Sequence, residues 1–245
     1  MMPLYAEYYN KIKERFGEKA FIIDGLCKLL NIKRSSAYRA IYNLKKENLI
    51  VRPLRGLYKA YTPKTVSLPK DIEEIRKHLL KKVTRKFSFT GLSVLESFIH
   101  HVPYVLIYHL FAEPNSAEDF KAEIKKVSGI TVLIEPKLND ISLILNTLPL
   151  KKLIVIRENN YFYSSKEGLS SKEAAFTDLY FEVTREKMPF IKTDLEEIFK
   201  SLAINNLINY SVLTKYAKER GLKDEIKKFL RKMADVADIP SQVLK

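Results

Sequence analysis

The chain of 245 residues contains one cysteine, Cys27, so no internal disulfide can staple it and a reducing, cytoplasmic setting is expected. Cys27 sits beside Leu26 and reads as a small buried hydrophobe. Histidine is scarce: His78, His100, His101 and His109 occur with no second cysteine and no His-Glu-x-x-His arrangement, so the familiar zinc spacings are missing. His100 and His101 are adjacent, and neighbouring side chains on a helix diverge by about a third of a turn, a poor chelate. The seven glycines are scattered singly, which leaves no glycine-rich phosphate cradle. Gly91-Leu92-Ser93 has the Gly-Ser element of a triphosphate-binding turn, yet the residues that follow, as far as Pro103 to Ile107, bring no Asp-x-Asp pair for two-metal chemistry. No stretch reaches the roughly 18 apolar residues of a membrane span. Leu4 to Phe16 alternates tyrosines with Lys and Glu, an amphipathic helix closed by Gly17 rather than a signal peptide. These absences predict a soluble protein that is not an enzyme and needs no cofactor or metal.

What the chain has in excess is positive charge, and it is unevenly placed. Residues 1–70 hold 15 Lys and Arg against 5 Asp and Glu, whereas residues 71–245 hold 28 against 24. A solvated surface does not require one-sided charge confined to one module, but neutralising phosphates does.

The basic module has a pattern of its own. A helix is expected to open after Asp24, whose carboxylate can accept from the free N–H groups of the first turn, with Leu26, Leu29 and Leu30 on one face. Asn31-Ile32-Lys33 then turns the chain into a second helix, about Arg34 to Glu47, in which Ala37, Ala40, Ile41 and Leu44 form the buried stripe. The opposite face carries Arg34, Ser35, Ser36, Tyr38, Arg39, Tyr42, Asn43 and Lys46, groups that donate to phosphates and base edges. Leu49 to Arg52 and Leu57 to Ala60 read as strands around Pro53-Leu54-Arg55-Gly56, a hairpin wing carrying Arg52, Arg55 and Lys59, with Gly56 free to take positive φ. This is the order of a winged helix-turn-helix for double-stranded DNA. Arg34, Ser35, Ser36, Tyr38, Arg39 and Tyr42 are expected in the major groove, and Lys45, Lys46, Arg52, Arg55 and Lys59 on the backbone. The competing reading is a protein-interaction module whose winged helix serves for docking.

Prolines at 63 and 69 bracket a polar strip, placing a winged helix-turn-helix at 1–65, a linker and connecting helix at 66–90 and a second domain at 91–245. The connecting helix, about Lys70 to Val83, has Ile72, Ile75, Leu79 and Leu80 on its apolar side. Beyond it the pattern predicts a helix over Gly91 to His101, strands at Tyr104 to Phe111, Ile130 to Glu135 and Lys152 to Arg157, and helices at Ser116 to Val127 and Asn139 to Thr147. A fourth strand is expected at Tyr161 to Ser164, hairpinned to the third through Glu158-Asn159-Asn160. The apolar density of the first three strands implies a sheet covered by helices, so the fold class is α+β, a mixed α/β layer with a helical C-terminal part. Ser170 to Glu173 and Thr193 to Glu196 have the spacing of capping boxes. Two further helices are expected, about Tyr210 to Arg220, ending at Gly221, and onward to Val236.

Three segments in this order carry a family likeness: Arg55-Gly56-Leu57-Tyr58, then Thr90-Gly91-Leu92-Ser93-Val94-Leu95, then Glu167-Gly168-Leu169-Ser170-Ser171-Lys172-Glu173-Ala174-Ala175-Phe176-Thr177-Asp178-Leu179. The chain from about residue 20 to 232 resembles the AbiEi antitoxins of abortive-infection toxin–antitoxin systems. The resemblance implies a transcriptional regulator that represses its own operon through the N-terminal module. It also implies that the C-terminal domain counters a nucleotidyltransferase-like toxin encoded by an adjacent gene. Glu173 and Asp178 are expected to be structural, a capping carboxylate and a helix-face acid.

Overall fold

The computed structural model describes residues 3–17, 19–46, 49–54, 56–60, 68–99, 105–147, 152–162, 164–185, 192–205, 207–234 and 239. Its architecture is mixed α/β, with two separate sheets among many helices.

The N-terminal part runs α1 (Pro3–Phe16), β1 (Phe21–Ile22), α2 (Ile23–Leu30), α3 (Arg34–Lys46), β2 (Ile50–Leu54) and β3 (Leu57–Ala60). Helix α1 stops where Gly17 takes φ 55° and returns its N–H to Lys13 O at 2.9 Å, a conformation that costs glycine little. Helix α2 starts earlier than an Asp24 cap implies: Ile22 occupies the cap position, no side chain accepts there, and Asp24 lies in the first turn. Its charge still suits the positive end of the helix.

Within α3, Ala37, Ala40, Ile41 and Leu44 are buried, as their spacing predicts. Ala37, Ile41 and Leu44 meet Ile12, Phe21, Ile23, Leu26, Ile50 and Tyr58 in one apolar cluster, and each large side chain buried there contributes about 1.5–3 kcal/mol. The small sheet has the order β1-β3-β2, with Phe21 opposite Tyr58 and Val51 opposite Lys59. Strand β1 went unread because two residues carry no alternation. Strand β2 continues to Leu54 through an irregular register, so Pro53 lies within a strand rather than in the turn. Gly56 takes φ 86°. Arg55 and the strip 61–67 lie outside the described residues.

The second part begins with α4 (Lys70–Lys82), which buries Ile72, Ile75 and Leu79 but leaves Leu80, expected beside them, 44% exposed. Strand β4 (Phe87–Thr90) is buried at every position; its alternation of Phe with Ser and Thr gave too short a signal to be read as a strand. The helix predicted over 91–101 is shorter: α5 (Leu92–Leu95) passes into a 3-10 turn at Glu96–Phe98, and His100 and His101 lie outside the described residues. Then follow β5 (Leu106–Ala112), α6 (Ala117–Val127), β6 (Thr131–Ile134), α7 (Leu138–Thr147) and β7 (Lys152–Glu158), close to their expected bounds.

Of the strand expected at Tyr161 to Ser164, residues 161, 162 and 164 are not in a strand, and Tyr163 lies outside the described residues. Both edges of β7 are occupied by parallel neighbours, β5 and β6, so no hairpin partner can add there. The hairpin forms later, between β8 (Ser165–Lys166) and β9 (Leu169–Ser170). Glu167 and Gly168, at φ 51° and 73°, make its two-residue turn, the pair of left-handed residues that a right-twisting hairpin needs.

The larger sheet has the order β6-β7-β5-β4-β9-β8. Strands β5, β6 and β7 are parallel, and β4 is antiparallel to β5 and parallel to β9. Four more helices follow among the described residues: α8 (Lys172–Thr184), α9 (Lys192–Ile204), α10 (Tyr210–Glu219) and α11 (Lys223–Met233). Ser171, not Ser170, caps α8 by accepting from Ala174 N at 3.2 Å, and Glu173 instead accepts Asn209 N at 2.7 Å. Thr193 lies inside α9, so neither predicted capping box closes as written. Helices α4 and α6 pack together, α8 lies against β4 and α10, and α10 also reaches β2 of the first sheet. No helix among the described residues is long and apolar enough to cross a membrane.

Candidate nucleic-acid interface

The sequence places its candidate residues on α3 and the hairpin after it. Arg34, Ser35, Ser36, Tyr38, Arg39, Tyr42, Lys45 and Lys46 are all exposed, on the side of α3 away from the buried stripe. Tyr38 and Tyr42 keep 48% and 69% of their surface in solvent, far more than a tyrosine needed for the core would show. The only acid close to these cations is Asp24 among the described residues, 3.8 Å from Arg34, and both partners are largely solvated, so this ion pair holds Arg34 weakly.

Two of the expected contributors are engaged in the fold. Asn43 is half-buried and donates to Tyr5 Oη at 2.8 Å and to Arg39 O at 3.0 Å, so it fastens α3 to α1 instead of facing outward. Arg52 is half-buried with its guanidinium 6.0 Å over the Tyr58 ring. Lys59 is half-buried on β3, and Arg55 lies outside the described residues. The array that the structure brings onto one face is therefore that of α3, with the hairpin beside it.

A second polar constellation lies inside the larger sheet, and sequence reasoning missed it. Strand register sets Thr90 beside His109 and His109 beside Val155. Helix α8 brings Asp178 and Glu182, one turn apart, onto this surface, and both are buried. Asp178 accepts from Thr90 Oγ1 at 2.6 Å and from Tyr216 Oη at 3.0 Å, and Arg220 Nε stands 3.1 Å from its Oδ1 without the angle of a hydrogen bond. The Arg220 guanidinium lies over the rings of Phe181 and Phe111, at 4.6 and 5.4 Å. Glu182 accepts from Arg157 at 3.1 Å and touches His109 Nε2 at 3.5 Å, while Arg157 also donates to Glu135 at 3.2 Å and to Pro136 O at 3.0 Å.

Burial pushes the Asp178 carboxyl up to about 6 against the pull of Arg220, Thr90 and Tyr216. Burial acts in the same direction on Glu182, but His109 and Arg157 outweigh it and hold that carboxyl at about 2. Asp178 is thus a core acid and not the helix-face acid expected. Its signal was available, since α8 is apolar or buried on nearly every side and leaves no wet face for an acid. Chemically this is a closed set of charges that ties α8 and α10 to β4, β5 and β7. Among the described residues no group of three or more His, Cys, Asp or Glu side chains could hold a metal.

No curated protein matches the chain. A family of unknown function, DUF6577, matches residues 37–235, from the first turn of α3 through the last helix. That span covers most of the molecule, so the chain belongs to the DUF6577 family.

Proposed function

We propose that the N-terminal part is a winged helix-turn-helix that binds double-stranded DNA and that the protein is a transcriptional regulator. The observation that carries this reading is the one-sided face of α3: Arg34, Ser35, Ser36, Tyr38, Arg39 and Tyr42 all reach solvent while Ala37, Ala40, Ile41 and Leu44 fix the helix from behind. A helix held so can enter a major groove, its serines, tyrosines and Arg39 reading base edges and phosphates. Lys45 and Lys46 on the last turn, with Arg52 and Lys59 on the neighbouring hairpin, neutralise the flanking backbone. The likeness to AbiEi antitoxins extends the proposal: the protein represses its own operon, and its C-terminal part counters a nucleotidyltransferase-like toxin.

A gel-shift titration of the full chain on duplex DNA from its own upstream region tests the DNA reading. Arg39→Ala is expected to weaken specific binding by about 1–3 kcal/mol, roughly five- to 150-fold. Binding unchanged in Arg39→Ala and Tyr42→Ala at several salt concentrations overturns it. Co-purification with the product of the adjacent gene tests the antitoxin extension separately.

A further inference from the structure

A cleft of about 740 Å³ opens where α4 ends, β4 begins and the chain leaves β7. The DNA-binding proposal makes no use of it. Its apolar lining includes Leu80, Val83, Phe87 and Phe162. Leu80 is the residue that the α4 periodicity assigns to the core and that the fold leaves 44% exposed. Arg85 and Lys86 are exposed in the same wall, and no carboxylate pairs with either among the described residues. Tyr161 stands opposite with 47% of its surface in solvent. Thr84 and Asn160 add neutral donors and acceptors, Ser165, whose Oγ donates to Phe162 O at 2.7 Å, adds an acceptor, and Glu167 is the only acid in the lining among the described residues.

The wall is rigidly built. Gly168 at φ 73° backs onto Phe87 so closely that a Cβ there would stand 2.6 Å from the ring. Arg76, locked to Glu73 at 2.8 Å, donates to Glu167 O at 2.7 Å and fixes the hairpin turn. Lys81 and Lys82 in the last turn of α4 offset the negative end of that helix, which would otherwise oppose an anion.

We propose that this cleft binds a phosphorylated nucleoside. An exposed tyrosine ring beside an apolar floor suits a planar base, which stacks without regard to sequence. Arg85 and Lys86 suit the phosphate. Asn160, Ser165 and Thr84 offer partners to base edges and sugar hydroxyls. Glu167 can accept from an amino or hydroxyl group of the base or sugar. The volume lies within the range of ordinary small-ligand sites.

Calorimetric titration of the full chain with ATP, AMP, adenosine and inorganic phosphate, without added metal, tests the proposal. Saturable ATP binding tighter than about 1 mM is expected. Tyr161→Ala is expected to weaken it at least about fivefold, with Tyr161→Phe restoring it. Lys86→Ala should weaken ATP and leave adenosine unchanged, and Arg39→Ala should leave every nucleotide titration unchanged, which separates this site from the proposed DNA face. Both wall residues are solvent-exposed, so their variants keep the fold. A tetrathymidylate arm identifies the source: sensitivity to Tyr161→Ala there assigns the cleft to strand ends, and insensitivity assigns it to free nucleotides. No saturable binding, ATP binding indifferent to both Tyr161→Ala and Lys86→Ala, or binding displaced by an acidic peptide overturns the proposal.

Discussion

Thr90 Oγ1 donates to Asp178 Oδ2 at 2.6 Å, joining the end of β4 to the middle of α8 across 88 positions of sequence. The fold makes these two residues partners in a buried bond. Thr90→Val keeps the shape and removes the donor, so it is expected to destabilise the protein by about 1–3 kcal/mol, with Thr90→Ser largely retaining stability. Urea unfolding measures this, and a valine variant as stable as the parent would show that the bond contributes nothing net.

Asp178 and Glu182 predict opposite slopes of stability with pH. Asp178 titrates at about 6 in the folded chain and about 3.9 unfolded, so between those values the folded state holds the extra proton and stability falls as pH rises. Asp178→Asn cannot titrate, and its stability relative to the parent should rise through that window, by up to about 3 kcal/mol at pH 7. Glu182, held at about 2, contributes stability that is full above its unfolded value of about 4.3 and is lost as pH falls toward 2, so Glu182→Gln should flatten the acid limb. Urea midpoints from pH 3 to 7 test both signs; parallel parent and Asp178→Asn curves would contradict the first.

Gly168→Ala is expected to cost more than Gly17→Ala. Both glycines have positive φ, but a Cβ at 168 meets the Phe87 ring at 2.6 Å whereas at 17 it meets open space. The second change should cost about 1 kcal/mol from backbone strain alone, and the first more than that. Thermal unfolding of the two variants ranks them, and equal losses would mean that Phe87 yields freely.

Salt dependence distinguishes phosphate contacts from other charge. On duplex DNA, Lys45→Ala and Lys46→Ala are each expected to reduce the slope of log affinity against log salt by about 1. Lys126→Ala on α6, whose ammonium already pairs with Glu123, should leave the slope unchanged. Fluorescence anisotropy over a potassium chloride series reads these slopes directly.

Most of the element order was legible because it rests on local periodicity. The buried stripe of α3, the stop at Gly17, the positive φ of Gly56 and the apolar strands β5 and β7 each follow from residue spacing within one segment. The misreadings have two causes. Strands β1 and β4 are too short to carry a period, whereas the placement of the hairpin at β8 and β9, the exposure of Leu80 and the inward turn of Asn43 each depend on what a distant segment offers as partner.

The sequence by itself determined where the charge lies and which side of α3 is polar, since both follow from composition and a period of 3.6 residues. Only the tertiary structure decided that Asp178 and Glu182 are buried and partnered by Thr90, Tyr216, His109 and Arg157, and that Leu80 and Tyr161 line the same cleft. Such groups lie far apart along the chain, and no local pattern records which of them the packing of sheet and helices will bring within a few ångströms.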